Sequence, residues 1–236
     1  MSPRDAHLTS SSIPSHGRKP WFFLLDMSKI TAITPQKRNQ NRLSISLDGS
    51  YAFSLDRYSA AWLIVGAELS EADVERLLAK DEVESAYVRV MRFLATRGRS
   101  RHELEQYLQG KGYAESVREA VLERLEADGY LNDARFASEW LENRSTFRPR
   151  SHAQVRAELR QKGIPEEIIS ETLAKTEYKD EDLAIEAARK AFRQFEKNDW
   201  QTFRVKMGNA LMRRGFSYSV AQQATQMVWN EFHSGE

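Results

Sequence analysis

The sequence predicts a mainly α-helical protein in which three tandem three-helix repeats form an elongated molecule, preceded by a small β-hairpin and helix element. Three observations support this fold class. One short phrase with the chemistry of a helix end occurs three times at a nearly constant spacing. Between these phrases, apolar residues recur at helical spacing. Before the first repeat, apolar and polar residues alternate as they do in a strand.

The repeated phrase combines a leucine, a glycine four residues later and an apolar residue directly after the glycine. The three sets are Leu108, Gly112, Tyr113; Leu159, Gly163, Ile164; and Leu211, Gly215, Phe216. The glycines lie 51 and then 52 residues apart. Glycine just past a helix adopts the left-handed conformation without a Cβ clash, which lets the last carbonyls of the helix find partners. In this motif we expect each leucine to contact the residue that follows its glycine.

The composition is that of a soluble chain with enough residues for a real core. Of its 236 residues, 41% are hydrophobic, and none is cysteine, which excludes disulfides, thiolate zinc sites and cysteine nucleophiles. Charged residues make up 29%, yet the net charge is only +1, and this balance weakens a simple nucleic-acid-binding interpretation. The longest apolar run near the N-terminus, residues 21–25, is too short for a signal or a membrane span. We expect a cytoplasmic protein with no membrane association.

Residues 1–26 are predicted to be a disordered leader. Three prolines and the serine run at 10–12 leave little periodic apolar pattern there. Met27 then opens a segment that is typical of a protein start. An over-extended start and a genuine disordered tail are both open interpretations of the leader.

Residues 27–83 are predicted to hold a β-hairpin and helices. Apolar and polar residues alternate on both sides of Asp48-Gly49, a dipeptide typical of a tight hairpin, which predicts an antiparallel sheet of two or three strands. Because two strands alone are marginal in water, the hairpin should pack on a helix from about Arg57 to Val65. A capping box formed by Ser70 and Asp73 should open the next helix.

The three repeats are expected at residues 84–132, 133–180 and 181–236. In the first two repeats the middle helix begins with a capping box, at residues 100–103 and again at 151–154. A unit of three short helices buries little surface alone, so neighbouring units should stack or stay loosely joined.

The sequence contains no recognisable catalytic, phosphate-binding or metal-binding motif. It lacks a glycine-rich phosphate loop, a His-x-x-x-His pair and a Gly-x-Ser-x-Gly turn. His102 and His152 each fall in the first turn of a middle helix, where a surface or capping role is the usual one. We therefore predict a protein that is not an enzyme and carries no cofactor and no metal.

Arginines are concentrated around the turns between the first and second helices of two repeats. In the first repeat, residues 89–101 contain no acidic residue. In the second repeat, the arginine-rich stretch covers residues 144–162, and Glu158 is its only acid. The lysines and arginine that precede the repeated glycines are explained by the helix dipole, at roughly 0.3–1 kcal/mol each. For the turn arginines, a solvated surface and a binding surface for an acidic partner are equally open. The candidate partner-binding or DNA-binding residues are Arg97, Arg99, Arg101, Arg144, Arg148, Arg150 and Arg156.

Several motifs in the same order resemble the RecX family of recombination regulators. They are Leu94-Ala-Thr-Arg97-Gly-Arg99-Ser-Arg101-His-Glu103-Leu104, Gly129-Tyr-Leu-Asn-Asp133-Ala-Arg135-Phe136, Glu158-Leu-Arg-Gln-Lys162-Gly163-Ile164 and Arg213-Arg214-Gly215-Phe216-Ser217. Segments that begin at Ile33 and at Leu47 are similar to the N-terminal part of the longer members. The resemblance covers roughly residues 27–232.

The resemblance implies a fold of tandem three-helix repeats and a regulatory function. Members of the family bind RecA recombinase filaments on DNA, lie along the filament groove, and usually inhibit ATP hydrolysis, strand exchange and the coprotease activity that triggers the SOS response. On this basis we expect a monomeric regulator of DNA repair whose partners are the RecA filament and the DNA within or near it. The alternative is a direct DNA-binding protein built from three-helix units.

Overall fold

The computed structural model describes residues 27–233, so the predicted leader lies outside the described residues. The chain divides into two compact units, one ending at Lys80 and the other beginning at Asp81. Four strands and nine helices occur in the described range. The mainly α-helical class and the three tandem three-helix repeats are therefore confirmed.

The first unit is built on an antiparallel sheet with the strand order β3-β2-β1-β4. Its strands are β1 (Ser28–Gln36), β2 (Asn39–Leu47), β3 (Ser50–Asp56) and β4 (Glu68–Leu69). The predicted hairpin joins β2 to β3, and positive φ angles of 50° at Asp48 and 85° at Gly49 suit the twist of the paired strands. The short β4 was not predicted, because two residues carry too little pattern to be recognised.

The predicted helix from about Arg57 to Val65 is wrong, since this segment is a series of turns. The carboxylate of Asp56 accepts the backbone N–H of Tyr58 at 2.9 Å, and the Asp56 carbonyl accepts that of Ala60 at 3.0 Å. The backbone N–H of Gly66 then donates to the Ile30 carbonyl at 2.8 Å, which brings the chain back beside β1. Returning to the sheet within so few residues requires turns, and these override the helical pattern.

Helix α1 (Glu71–Leu94) joins two helices that the prediction kept separate. The Ser70 hydroxyl accepts the Asp73 N–H at 3.1 Å and the Asp73 carboxylate accepts the Ser70 N–H at 3.0 Å, which confirms the capping box. No glycine or proline interrupts the segment that follows, so the helix continues into the first repeat.

Eight further helices complete the repeats. The first repeat adds α2 (Arg101–Gly110) and α3 (Glu115–Ala127) to the end of α1. The second consists of α4 (Asp133–Thr146), α5 (His152–Gln161) and α6 (Glu166–Ala174). The third consists of α7 (Asp180–Phe195), α8 (Trp200–Met212) and α9 (Tyr218–His233). Each repeat buries its own apolar cluster, centred on Leu104 and Leu108, on Val155 and Leu159, and on Phe203 and Met207.

The three repeated phrases end α2, α5 and α8 as predicted. Their glycines have φ angles of 83°, 72° and 89°. The N–H of the residue after each glycine donates to the carbonyl of the leucine, at 3.3 Å (Tyr113 to Leu108), 3.1 Å (Ile164 to Leu159) and 3.4 Å (Phe216 to Leu211). Each pair also shares one apolar cluster, so the expected contacts are confirmed.

Candidate partner-binding surface

The first and second repeats meet where the end of α5 packs on the start of α2. We call this contact the first junction and define it by Ser100, Glu103, Lys162 and Gly163. The Ser100 hydroxyl donates to the Lys162 carbonyl at 2.6 Å, and Lys162 Nζ lies 2.8 Å from Glu103 Oε1. A Cβ on Gly163 would overlap the side chain of His102, so the glycine also permits the close approach.

Glu103 is the electrostatic centre of the first junction. Its carboxylate accepts both terminal nitrogens of Arg97, at 2.8 and 3.2 Å, in addition to Lys162. It also accepts the Ser100 N–H at 3.4 Å, which completes the predicted capping box. Burial alone would raise the pKa of Glu103, but the bonds and charges of Arg97 and Lys162 lower it to about 2.

The second and third repeats meet through an equivalent contact, which we call the second junction and define by Ser151, Gln154, Arg214 and Gly215. The Ser151 N–H donates to the Arg214 carbonyl at 3.2 Å. A Cβ on Gly215 would lie 2.5 Å from the Ser151 hydroxyl and 2.7 Å from Gln154 Cβ. The repeated glycine therefore has the same close-approach role twice.

The capping box predicted at Ser151 is only half formed. The Ser151 hydroxyl accepts the Gln154 N–H at 3.1 Å, but the reciprocal bond is missing because the Ser151 N–H is taken by Arg214. Within residues 27–233 the Gln154 side chain makes no hydrogen bond. The start of α5 is thus capped partly by the next repeat.

A second contact also occurs at both junctions. The first residue of α4, Asp133, accepts the backbone N–H of Arg101 at 2.9 Å. The first residue of α7, Asp180, accepts that of His152 at 2.8 Å. Burial raises the pKa of Asp133, although the bond and charge of Arg101 act in the opposite direction. The middle helices of the first and second repeats therefore each receive an acidic cap from the repeat that follows.

The candidate arginines of the first repeat make mostly internal contacts. Arg97 is bound to Glu103, and Arg101 lies 2.7 Å from Glu119 and also binds Glu126, so it ties α2 to α3. Arg99 stacks over the Phe93 ring at 3.9 Å. Burial, followed by the charge of Arg97, lowers the pKa of Arg99. Among the three, only Arg99 has no carboxylate partner within the described chain.

In the second repeat, Glu158 partners two of the candidate arginines. Arg144 Nε lies 2.6 Å from its carboxylate and Arg150 Nε lies 3.4 Å from it. The Trp140 indole N–H donates to the same carboxylate at 2.8 Å, and the Arg144 guanidinium stacks on the Trp140 ring at 4.3 Å. The single acid of this stretch, Glu158, is thus a partly buried hub of three contacts.

The remaining two candidates differ in environment. Arg156 binds Glu166 of α6 and lies 3.3 Å from the Ser170 hydroxyl. Arg148 is exposed and has no ion pair among residues 27–233. The binding role assigned to all seven arginines remains a prediction, and Arg148 has the geometry best suited to it.

The seven candidate arginines leave out two kinds of exposed surface, although Arg89 and Arg92 lie in the acid-free stretch noted in the sequence. Further exposed arginines without ion pairs in the described range occur on helices or at helix ends, at Arg89, Arg92, Arg204 and Arg213. The turns that replace the predicted helix of the first unit expose large apolar side chains at Tyr58, Trp62, Ile64 and Val65. Exposed large apolar side chains on one short segment make that segment a candidate protein contact site. The helix prediction missed these exposed side chains, because a helix at these positions would have buried some of them.

The described residues hold neither a metal-binding cluster nor a membrane-spanning helix. No group of three or more histidine or acidic residues within 27–233 is arranged to hold a metal ion. None of the helices in the same range is long and apolar enough to cross a membrane.

Family models match four consecutive parts of the chain. The model described as the RecX regulatory protein N-terminal domain matches residues 28–69. Those of the first, second and third RecX three-helix domains match residues 86–125, 132–173 and 179–225. The matched segments follow the sheet and the three repeats in order.

Similar proteins point to the same family. The regulatory protein RecX of Bacillus licheniformis is 32% identical over 85% of this chain and 77% of its own length. The regulatory protein RecX of Bacillus subtilis strain 168 is 31% identical over 86% of this chain and 78% of its own length. A crystal structure of a regulatory protein RecX aligns with a TM-score of 0.65 at 27% identity, over 84% of this chain and 99% of that one. The chain belongs to the RecX family of regulatory proteins.

Proposed function

We propose that this protein binds RecA recombinase filaments on DNA and inhibits their ATP hydrolysis, strand exchange and coprotease activity. Membership of the RecX regulatory family is the observation that carries the proposal. In this function the protein acts in the cytoplasm as a monomeric, non-enzymatic regulator of DNA repair.

The repeat junctions support a partner that is itself periodic. The same glycine contact and the same acidic cap join the first repeat to the second and the second to the third. Neighbouring repeats are therefore joined in a similar way at regular intervals along the chain. A filament of identical subunits offers equivalent acceptor sites at regular intervals, so several weak contacts add through effective concentration.

Direct DNA binding is the second candidate function. The exposed arginines without ion pairs, including Arg148 and Arg204, favour it because phosphate contacts are made by uncompensated cations. Internal pairing of Arg97, Arg101, Arg144 and Arg156 argues against it, since those charges are already neutralised. We rank DNA as a secondary contact, made in the context of the filament.

The deciding experiment is a titration of RecA ATP hydrolysis on single-stranded DNA. The protein is added to preformed filaments and, separately, before filament assembly. We expect hydrolysis to fall at protein amounts well below one per RecA subunit. Unchanged hydrolysis and strand exchange at equimolar protein would refute the proposal.

A parallel binding measurement separates the two candidates. Binding to RecA filaments and to bare single-stranded DNA is compared over a range of salt concentrations. Strong filament binding with weak DNA binding supports the regulator. Tight DNA binding supports the direct DNA binder if the logarithm of the binding constant falls steeply with the logarithm of the salt concentration.

A further inference from the structure

Both junctions bring the end of one middle helix against the start of the preceding one, but the two differ in charge balance. Glu103 of the first junction corresponds to Gln154 of the second, at 51 residues along the chain, and Lys162 corresponds to Arg214. In the first junction the single carboxylate pairs with both Arg97 and Lys162. In the second junction the cation is retained, while an uncharged amide of the same size replaces the acid.

No carboxylate within residues 27–233 replaces the missing one. Arg214 is half-buried, and its Nη1 donates at 2.9 Å only to the Ala210 carbonyl of its own helix. Arg148, which corresponds to Arg97, has no ion pair in the described chain. Arg150 lies at 3.4 Å from Glu158, a carboxylate that it shares with the closer Arg144.

Neighbouring arginines also repel Arg214 of the second junction. Burial, and then the charges of Arg150 and Arg213, lower the pKa of Arg214. Concentrating guanidinium groups at a half-buried contact costs free energy unless an anion accompanies them. The first junction shows the arrangement in which that cost is offset.

We propose that the second junction is a docking site for a carboxylate side chain of a protein partner, which takes the place that Glu103 fills in the first junction. Arg214 would pair with the carboxylate, and the Gln154 amide would donate a hydrogen bond to it. That the partner is a protein rests on the proposed function, whereas the anion site itself rests on the junction geometry.

The depth of the site favours a carboxylate over a nucleic-acid phosphate. Arg214 lies where two repeats meet, because its carbonyl accepts the Ser151 N–H and the adjacent Gly215 packs closely against Gln154. The carboxylate of a glutamate stands at the end of a slim, flexible side chain and can enter such a contact. A phosphodiester carries a sugar on each side, which keeps it at the surface, near exposed groups such as Arg148.

The first test uses the protein alone, and a substitution at position 154 provides the carboxylate. The Gln154→Glu variant should pair with Arg214 and raise the melting temperature by about 2–4 °C. The Gln223→Glu variant is the matched control, because it adds the same charge at an exposed position of α9. Equal melting temperatures for the two variants would overturn the proposal.

The second test uses an acetylated and amidated hexaglutamate peptide as the probe, in titration calorimetry. Wild-type protein and Gln223→Glu should bind the peptide, and Gln154→Glu should bind it about tenfold more weakly. The Arg214→Gln variant should show the same loss. Equal affinity in all four proteins would overturn the proposal.

A hexathymidylate oligonucleotide is the competing probe. If Gln154→Glu weakens binding of the oligonucleotide and leaves binding of the peptide unchanged, the site takes phosphate and the carboxylate assignment is wrong. Because RecA is absent from both titrations, these results are independent of whether the protein regulates RecA.

Discussion

The hydroxyl of Ser100 donates a 2.6 Å hydrogen bond to the backbone carbonyl of Lys162, which belongs to the next repeat. The contact joins the start of one middle helix to the end of the next. It needs the tight turn at Gly163, because a side chain there would overlap His102. The glycine that ends a helix is therefore also the glycine that joins two repeats.

This double role predicts unequal effects for the same substitution at two glycines. Gly112→Ala should cost about 1 kcal/mol of unfolding free energy, because the left-handed φ disfavours a side chain but nothing lies within 4 Å of the new Cβ. Gly163→Ala should cost about 1–3 kcal/mol more, because the new Cβ overlaps His102. Chemical denaturation of both variants measures the difference. Equal losses would show that the junction relaxes freely around position 163.

Glu103 predicts a pH dependence of stability. Its pKa in the folded protein is about 2, below the ordinary value of 4.5, so its stabilising contribution is complete above about pH 4.5. That contribution is lost as the pH falls from there towards 2. The Glu103→Gln variant should be less stable than wild type at pH 6, and the difference should shrink steadily on acidification. Urea unfolding at several pH values checks this, and a constant difference down to pH 2.5 would contradict the assigned ion pairs.

The neighbouring candidates Arg144 and Arg148 allow a matched test of structural against binding roles. Arg144→Ala should cost about 2 kcal/mol, because it removes a charged hydrogen bond to Glu158 and the stacking on Trp140. Arg148→Ala should change stability by less than about 0.5 kcal/mol, because the side chain is exposed. Under the proposed function, Arg148→Ala should nevertheless weaken inhibition of RecA ATP hydrolysis. Full inhibition by a stable Arg148→Ala variant would remove Arg148 from the binding surface.

The helix ends could be predicted from the sequence because they depend on local chemistry. A glycine at the C′ position and a capping serine act within a few residues, and both appeared where the spacing placed them. The partners of the arginines could not be predicted in this way. Arg101 binds Glu119 and Glu126 of another helix, and a count of acids in the surrounding stretch does not find them.

The junctions were missed for the same reason. Ser151 has the sequence of a capping box, but the carbonyl that takes its N–H lies on Arg214, far along the chain. The turns after Arg57 are also set by a distant element, since the Gly66 N–H binds Ile30. Repeat spacing indicates that units are adjacent, whereas the individual contacts between them depend on packing.

The hub at Glu158 predicts the largest effect of a single polar substitution in the second repeat. Glu158→Ala leaves Arg144, Arg150 and the Trp140 N–H without their shared acceptor, and we expect a loss of about 3 kcal/mol. Glu158→Gln keeps an acceptor for the indole but removes the charge. Its unfolding free energy should therefore lie between those of wild type and Glu158→Ala. Guanidinium unfolding measures the order of the three proteins. If both variants match wild type, the arginines are solvated rather than paired, and the positive charge of this turn is available to a partner after all.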